Sequence, residues 1–297
     1  MTVTPAVVEE EPTKKGLSFK LPLDETEMGL IAGIVAAIVV VFTGLPAVIK
    51  GIALILAFLW GMDSVRKTSK YGLGTGVPSI GVLATGFGVV GALVGLALAK
   101  YGSIEGVAYP AVLVGVILMG VIGLVAGILS NHEKVIAMKI PKLERAMMEL
   151  GMAGTLIILL ECSIVTGSLS FNAVVNQVLN TGLIALMFIF TCFGLLHPYN
   201  ACLGPDENRE RTRMCSVEIV GLLCALLGFV MIILSSFSWE LGSIASVTIS
   251  SPWKLWNGVS LLIFGLAVWA YFFRMFIKAC MDEAYETVGT GMIKTIE

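Results

Sequence analysis

Apolar runs of membrane-spanning length recur along this chain from Met28 to Ala279, and no other feature restricts its fold as strongly. Lipid offers no partner to a backbone N–H or C=O, so runs this long and this rich in Leu, Ile, Val and Ala must satisfy those groups internally, as helices. Eight spans are expected, at about 28–43, 46–62, 76–99, 107–130, 147–169, 173–196, 215–237 and 256–279. The first two share the 35 residues from Met28 to Met62. That is too long for one crossing of about 20 residues and enough for two of about 17. Gly44 and Pro46 supply the break, because proline cannot donate to a helical ladder. Composition agrees: 57% of residues are apolar and 13% charged, against about 45–50% and about 25% in soluble domains. The expected fold is all-α and polytopic, with a tail over residues 1–27, a transmembrane helical domain over 28–281 and a second tail over 282–297. The first tail is polar, acidic and proline-bearing, unlike a cleavable signal peptide.

The cations test the span count. Sixteen of the 19 Lys and Arg precede the first span, follow the second, fourth or sixth, or end or follow the eighth, whereas Lys50, Lys100 and Lys254 occupy the other side. This alternation is the positive-inside signature and places both termini in the cytoplasm. With net charge −2 there is no basic surface suited to nucleic acid. Six cysteines without a CxxC pair do not read as a disulfide framework. Two GxxxG steps, Gly91/Gly95 and Gly123/Gly127, mark close helix packing. The hairpins resemble one another weakly, as internal repeats would.

Glu161 is the outstanding candidate for chemistry. Counted from Ala146 it lies about 22 Å along its helix, in the outer part of the hydrocarbon. A carboxylate there costs roughly 2.5–3.5 kcal/mol on insertion scales and usually faces a bundle interior or a water-filled path. Asn176 and Gln177 begin the next span at similar depth and can add oxygens for an ion. Two readings stay open: ion handling, or a protonated carboxyl hydrogen-bonded between helices. Glu149 and Glu218 read as carboxylates favoured by helix N-termini, and Asp63 as a solvated partner of Arg66 and Lys67.

The segment HPYNACLGPDENRERTRMC, read as a cytoplasmic loop over 197–214 and the residues that follow, is the densest polar stretch. His197, Cys202 and Cys215 make at most a partial zinc set whose spacing fits no zinc signature, so no metal site is assigned. Arg209, Arg211 and Arg213 suit an anionic ligand or an acidic partner surface, and equally a topology determinant. KYGLGTG at 70–76 looks like a phosphate cradle, but no strand precedes it. No catalytic triad and no large extramembrane domain is present, so no catalytic residue is named and the chain is not expected to catalyse alone.

The stretches GTGVPSIGVLATG and 134–151, and above all HPYNACLGPDE at 197–207, resemble the C subunit of the membrane-bound tetrahydromethanopterin S-methyltransferase of methanogenic archaea. The resemblance implies membership of a complex that moves a methyl group from methyl-tetrahydromethanopterin, through a corrinoid held by the A subunit, to coenzyme M. That transfer is coupled in the family to sodium export. The C, D and E subunits form the polytopic membrane portion, and the H subunit carries the pterin-side step. It implies no cofactor held by this chain itself and no catalytic residue in it. Under this resemblance His197, Asn200, Cys202, Arg209, Arg211 and Arg213 become candidates for meeting coenzyme M or for docking the D or E subunit. A self-sufficient secondary transporter and a purely structural scaffold are the alternatives.

Overall fold

The computed structural model describes residues 25–69, 77–102, 108–201, 209–236, 239–240, 246–247 and 252–287. Among these, helices dominate: α1 (Glu25–Val41), α2 (Ala47–Ser69), α3 (Val77–Tyr101), α4 (Ala108–Asn131), α5 (Leu143–Thr166), α6 (Phe171–Val174), α7 (Leu183–Ala201), α8 (Arg209–Ser236) and α9 (Pro252–Thr287). A two-residue antiparallel ladder pairs β1 (Trp239–Glu240) with β2 (Ser246–Val247). The protein is all-α and polytopic, as its apolar runs require. Among the described residues six helices are long and apolar enough to cross a membrane singly, seven if the bent pair α6–α7 counts as one span, and the apolar stretch Met28–Val41 of α1 is shorter.

The break at Gly44 and Pro46 falls where proline chemistry places it. Pro46 gives its carbonyl to the N–H groups of Ile49 and Lys50 and so opens α2. The indole of Trp60 then fills the space over Gly29 and Gly33, folding α1 back along α2.

α5 is the central post, with 89% of its span buried among its neighbours. Because lipid is as apolar as leucine, this burial stabilises through contact and close approach rather than escape from water. Its small residues show how. Gly154 meets Ala84 and Gly88 of α3, Gly151 meets Met119 of α4, and Gly123 and Gly127 of α4 meet Met147 and Glu144 of α5. Gly91 and Gly95 meet Gly115 and Ala111 across the α3–α4 contact. Both GxxxG steps are therefore packing faces. A further seam, invisible to a GxxxG search because its glycines are seven apart, joins Gly221 and Gly228 of α8 to Gly258 and Gly265 of α9.

One span departs from expectation. The run read as a single helix over 173–196 is bent by 85° between Phe171–Leu179 and Leu183–Pro198. Residues Val175–Leu179 form a π-helical turn, closed by the Asn180 N–H on the Val175 carbonyl. Thr181 gives its hydroxyl to the Gln177 carbonyl, and Gly182 turns the chain at φ +76°. Polar side chains that satisfy backbone carbonyls locally, next to a residue free to adopt the left-handed region, stop a helix that hydropathy alone would continue.

Contacts between helix ends sort them into two sets. Ser64 of α2 meets Glu149 of α5, Asp63 of α2 meets Arg213 of α8, and Asn131 of α4 meets Glu144 of α5, gathering the arginines at one end. At the other end Lys50 of α2 meets Ser163 of α5, and Lys100 of α3 meets Asn172 of α6.

Candidate functional site

Glu161 sits on α5 about 27 Å from Leu143 and about 7 Å from Thr166 along the axis. It is fully buried. Its Oε1 lies 3.2 Å from Thr191 Oγ1 of α7, and its Oε2 has no hydrogen-bond partner among the described residues. Thr191 Oγ1 is also 2.7 Å from the Met187 carbonyl. A hydroxyl carries one proton. With that proton on Met187, the Glu161 contact is satisfied when the carboxyl donates to the Thr191 lone pair. The geometry thus supports a neutral interhelical carboxyl with one oxygen unpartnered among the described residues.

Asn176 and Gln177 are not joined to Glu161 by any hydrogen bond among the described residues. Both lie on the π turn. Asn176 is exposed and accepts weakly from Asn180 at 3.4 Å. Gln177 Oε1 is buried without a partner. Thr191, absent from the candidates that depth along the sequence suggests, is the residue that meets Glu161. Its signal is a hydroxyl inside the otherwise apolar LMFIFTCF stretch.

At the opposite end Asp63 and Glu149 are paired with side chains of the bundle, which corrects two expectations. Asp63 is 5% exposed and not solvated. It pairs with Arg213 of α8 at 3.0 Å and with Arg66 at 3.6 Å. Glu149 is no N-terminal cap, since α5 begins six residues earlier at Leu143. It accepts from Ser64 Oγ at 2.5 Å and Arg145 Nε at 3.0 Å. Glu218 likewise lies in the third turn of α8, beyond the reach of its N-terminus. A mostly apolar cavity of about 880 Å³ opens between α1, α2, α8 and α9, bounded by Met28, Val35, Leu59, Trp60 and Phe272, with Asp63 and Arg213 as its charged wall.

The comparisons with known proteins bear on this arrangement. The family model for the C subunit of tetrahydromethanopterin S-methyltransferase matches residues 22–297. The C subunit from Methanosarcina mazei is 38% identical over 270 residues, covering 89% of this chain and 91% of that protein. The proteins of Methanothermobacter thermautotrophicus and Methanopyrus kandleri are each 34% identical, covering 89% and 96% of this chain and 89% and 93% of their own lengths. The chain belongs to the family of tetrahydromethanopterin S-methyltransferase C subunits. It is a multi-pass membrane component of a methyltransferase complex.

Within this family member the segment expected as one loop over 197–214 is helical over its described residues, 197–201 and 209–214. α7 runs on to Ala201 through Pro198, and α8 begins at Arg209. His197 is therefore on a helix, stacked on Phe193 with ring centroids 4.4 Å apart. Asn200 and Arg209 hold places on α7 and α8, while their side chains lie outside the described residues, as does Cys202 entirely. Arg211 is 7% exposed, and Arg213 is committed to Asp63. No group of three or more His, Cys, Asp or Glu fit to hold a metal ion occurs among the described residues.

Proposed function

We propose that this chain contributes a wall of the membrane ion pathway and of a substrate cavity to its methyltransferase complex, with the arginine-bearing helix ends facing the cytoplasm. In this reading the complex passes a methyl group through a corrinoid on the A subunit to coenzyme M and moves sodium. This chain packs beside the D and E subunits, meets lipid on its outer faces, and holds no cofactor of its own. The observation that carries the ion-pathway reading is the unpartnered Oε2 of Glu161 on the most enclosed helix of the bundle. An ionisable group kept in such a place serves an ion or proton path more often than the fold.

The coenzyme M reading narrows. Its sulfonate requires positive charge or N–H donors. Arg213 at the wall of the 880 Å³ cavity already serves Asp63, so an incoming anion competes with that carboxylate. Arg209 and Arg211 remain the candidates to test first, with His197, Asn200 and Cys202 alongside for docking.

The deciding experiment is Glu161→Gln in the assembled complex, with methyl transfer followed against sodium concentration. The variant should assemble and show a weakened sodium dependence; an unchanged response would refute the pathway role. For the substrate cavity, Arg209→Lys with Arg211→Lys keeps the charge while removing guanidinium geometry. A raised KM for coenzyme M with normal assembly is expected, and an unchanged KM would return these arginines to topology or docking. Orientation is best tested at Lys134, which is exposed, rather than at buried Arg211. A cysteine at 134 should escape an impermeant reagent applied outside intact cells.

A further inference from the structure

At the end of the bundle opposite the arginines, a cavity of about 190 Å³ lies between the α1–α2 turn, the last turn of α5 and the start of α9. Its polar lining is Thr43, Lys50, Thr166, Ser168, Lys254 and Asn257. Two of the three lysines that the charge alternation leaves on this side are thus collected in one place. The third, Lys100, is accounted for by Asn172 at 2.9 Å and by the rings of Tyr101 and Phe171.

Lys50 is 3% exposed, and its Nζ donates to the Ser163 carbonyl at 2.9 Å. That bond anchors the ammonium near the negative end of α5 and uses one of its three N–H groups. Lys254 passes its stem beside Gly167, the C-cap of α5, but no hydrogen bond to its ammonium is made among the described residues. Lys254 is the third residue of α9, at the positive end of that helix, where a cation is disfavoured. Among the described residues no carboxylate pairs with either lysine or lines the cavity. Asn257 accepts the Ala47 N–H on its Oδ1 at 3.1 Å, which leaves its NH₂ group to donate. The Thr166 hydroxyl is turned to the Cys162 and Ser168 carbonyls. α2 also begins here and adds its own positive end. The wall is rich in donors and cations and, among the described residues, contains no acid.

We propose that this cavity binds a phosphate group, supplied by a free phosphate ion or by a lipid headgroup at the membrane surface. A tetrahedral oxyanion offers acceptors in several directions at once, which suits two ammonium groups and an amide arriving from different helices. The volume is below the 300–1,000 Å³ of pockets for drug-sized ligands, so a small anion or headgroup fits and a nucleotide does not. Bound phosphate would tie α2, α5 and α9 together at this end. The proposal does not depend on the ion-pathway reading, because it uses none of the residues assigned there.

The test uses the intact complex containing the full chain, in a phosphate-free maltoside detergent. One arm measures saturable binding of radiolabelled inorganic phosphate. The other measures, by native mass spectrometry, retention of added phosphatidylglycerol against a phosphate-free glycosyl diacylglycerol. Saturable binding in one arm, at least tenfold weaker in Lys254→Gln, is the expected result, and the arm that responds identifies the source. Lys254 is half-buried at a helix start, so its variant should assemble even if Lys50→Gln does not. Binding of neither probe by the wild-type complex would overturn the proposal, including the case in which a carboxylate from a neighbouring protein fills the cavity. Binding that is unchanged in assembled Lys254→Gln, or equal retention of the two lipids with no phosphate binding, would overturn it equally.

Discussion

Glu149 and Glu161 are the same side chain on the same helix, both buried, twelve residues apart along α5. Glu149 has a partner for each oxygen, Ser64 from α2 and Arg145 one turn below. Glu161 has one hydroxyl whose proton is already claimed, and one oxygen with nothing. Burial therefore does not separate a structural carboxylate from a functional candidate, whereas the inventory of partners does. The pair near the helix end is placed to hold the bundle together. The lone carboxyl further along is held in spite of its cost.

The helix that carries both carboxyls stands in backbone contact with α3 at Gly154. A side chain at Gly154 would collide with the Ala84 carbonyl of α3, and neither backbone can yield locally. Gly154→Leu should cost about 3 kcal/mol, at the upper end of overpacking penalties. The expected readout is loss of this chain from the purified complex or a sharply lowered midpoint in thermal unfolding. Normal assembly would show that the α3–α5 contact is less tight than its geometry requires.

Glu149→Leu removes a carboxylate with two bonds, and should destabilise by about 2 kcal/mol. The loss is moderated because the Ser64 hydroxyl can fall back on the Trp60 carbonyl and Arg145 is half exposed. Glu161→Leu replaces a poorly paired buried polar group with an apolar one, which is commonly neutral or stabilising. Unfolding midpoints of the two variants should move in different directions or by clearly different amounts. Equal destabilisation would mean that Glu161 has partners in the complex equivalent to those of Glu149.

The sequence makes the apolar helices, the Gly44–Pro46 break and the place of Glu161 along its helix legible, because each is a property of one segment read along its own axis. It does not disclose which helix faces which. The partner of Glu161 is Thr191 and not the amides at similar depth, because the bend at residues 180–182 separates the π turn from α7. Asp63 reads as solvated along the sequence for the same reason, since Arg213 reaches it from 150 positions away. His197 looks like loop because a proline follows it, yet Pro198 is accommodated within the end of α7. Lys50 carries a usable signal, a cation at the start of a span on the side the charge alternation leaves nearly empty. Its burial against the end of α5 is beyond any one-dimensional reading.

Thr191→Val sharpens the account of Glu161. Valine keeps the shape and removes the hydroxyl, leaving Oε1 without its contact, at a cost of about 1 kcal/mol. Thr191→Ser should restore stability. If the Glu161–Thr191 contact is energetically silent, a double-mutant cycle with Glu161→Gln will return a coupling within about 0.3–0.5 kcal/mol of zero.

The smallest effect is expected at Arg145, and it decides which partner matters to Glu149. The Arg145 side chain is 52% exposed and reaches Glu149 one helical turn on, with the cation on the N-terminal side of the anion. That orientation is the weaker one for such a pair, and an exposed partner gains little net energy from it. Arg145→Gln should therefore cost about 0.5 kcal/mol or less, and the difference from wild type should shrink further in concentrated choline chloride, which screens the pair without supplying sodium. Ser64→Ala should cost more, since the serine hydroxyl meets Glu149 out of contact with water. If instead Arg145→Gln costs over about 1.5 kcal/mol and resists salt, the arginine must be desolvated by a neighbouring protein in the complex. The Glu149 end of α5 would then be an interface as well as an anchor, and the contrast with Glu161 would lie in what surrounds each end of the helix, not in the partners this chain provides.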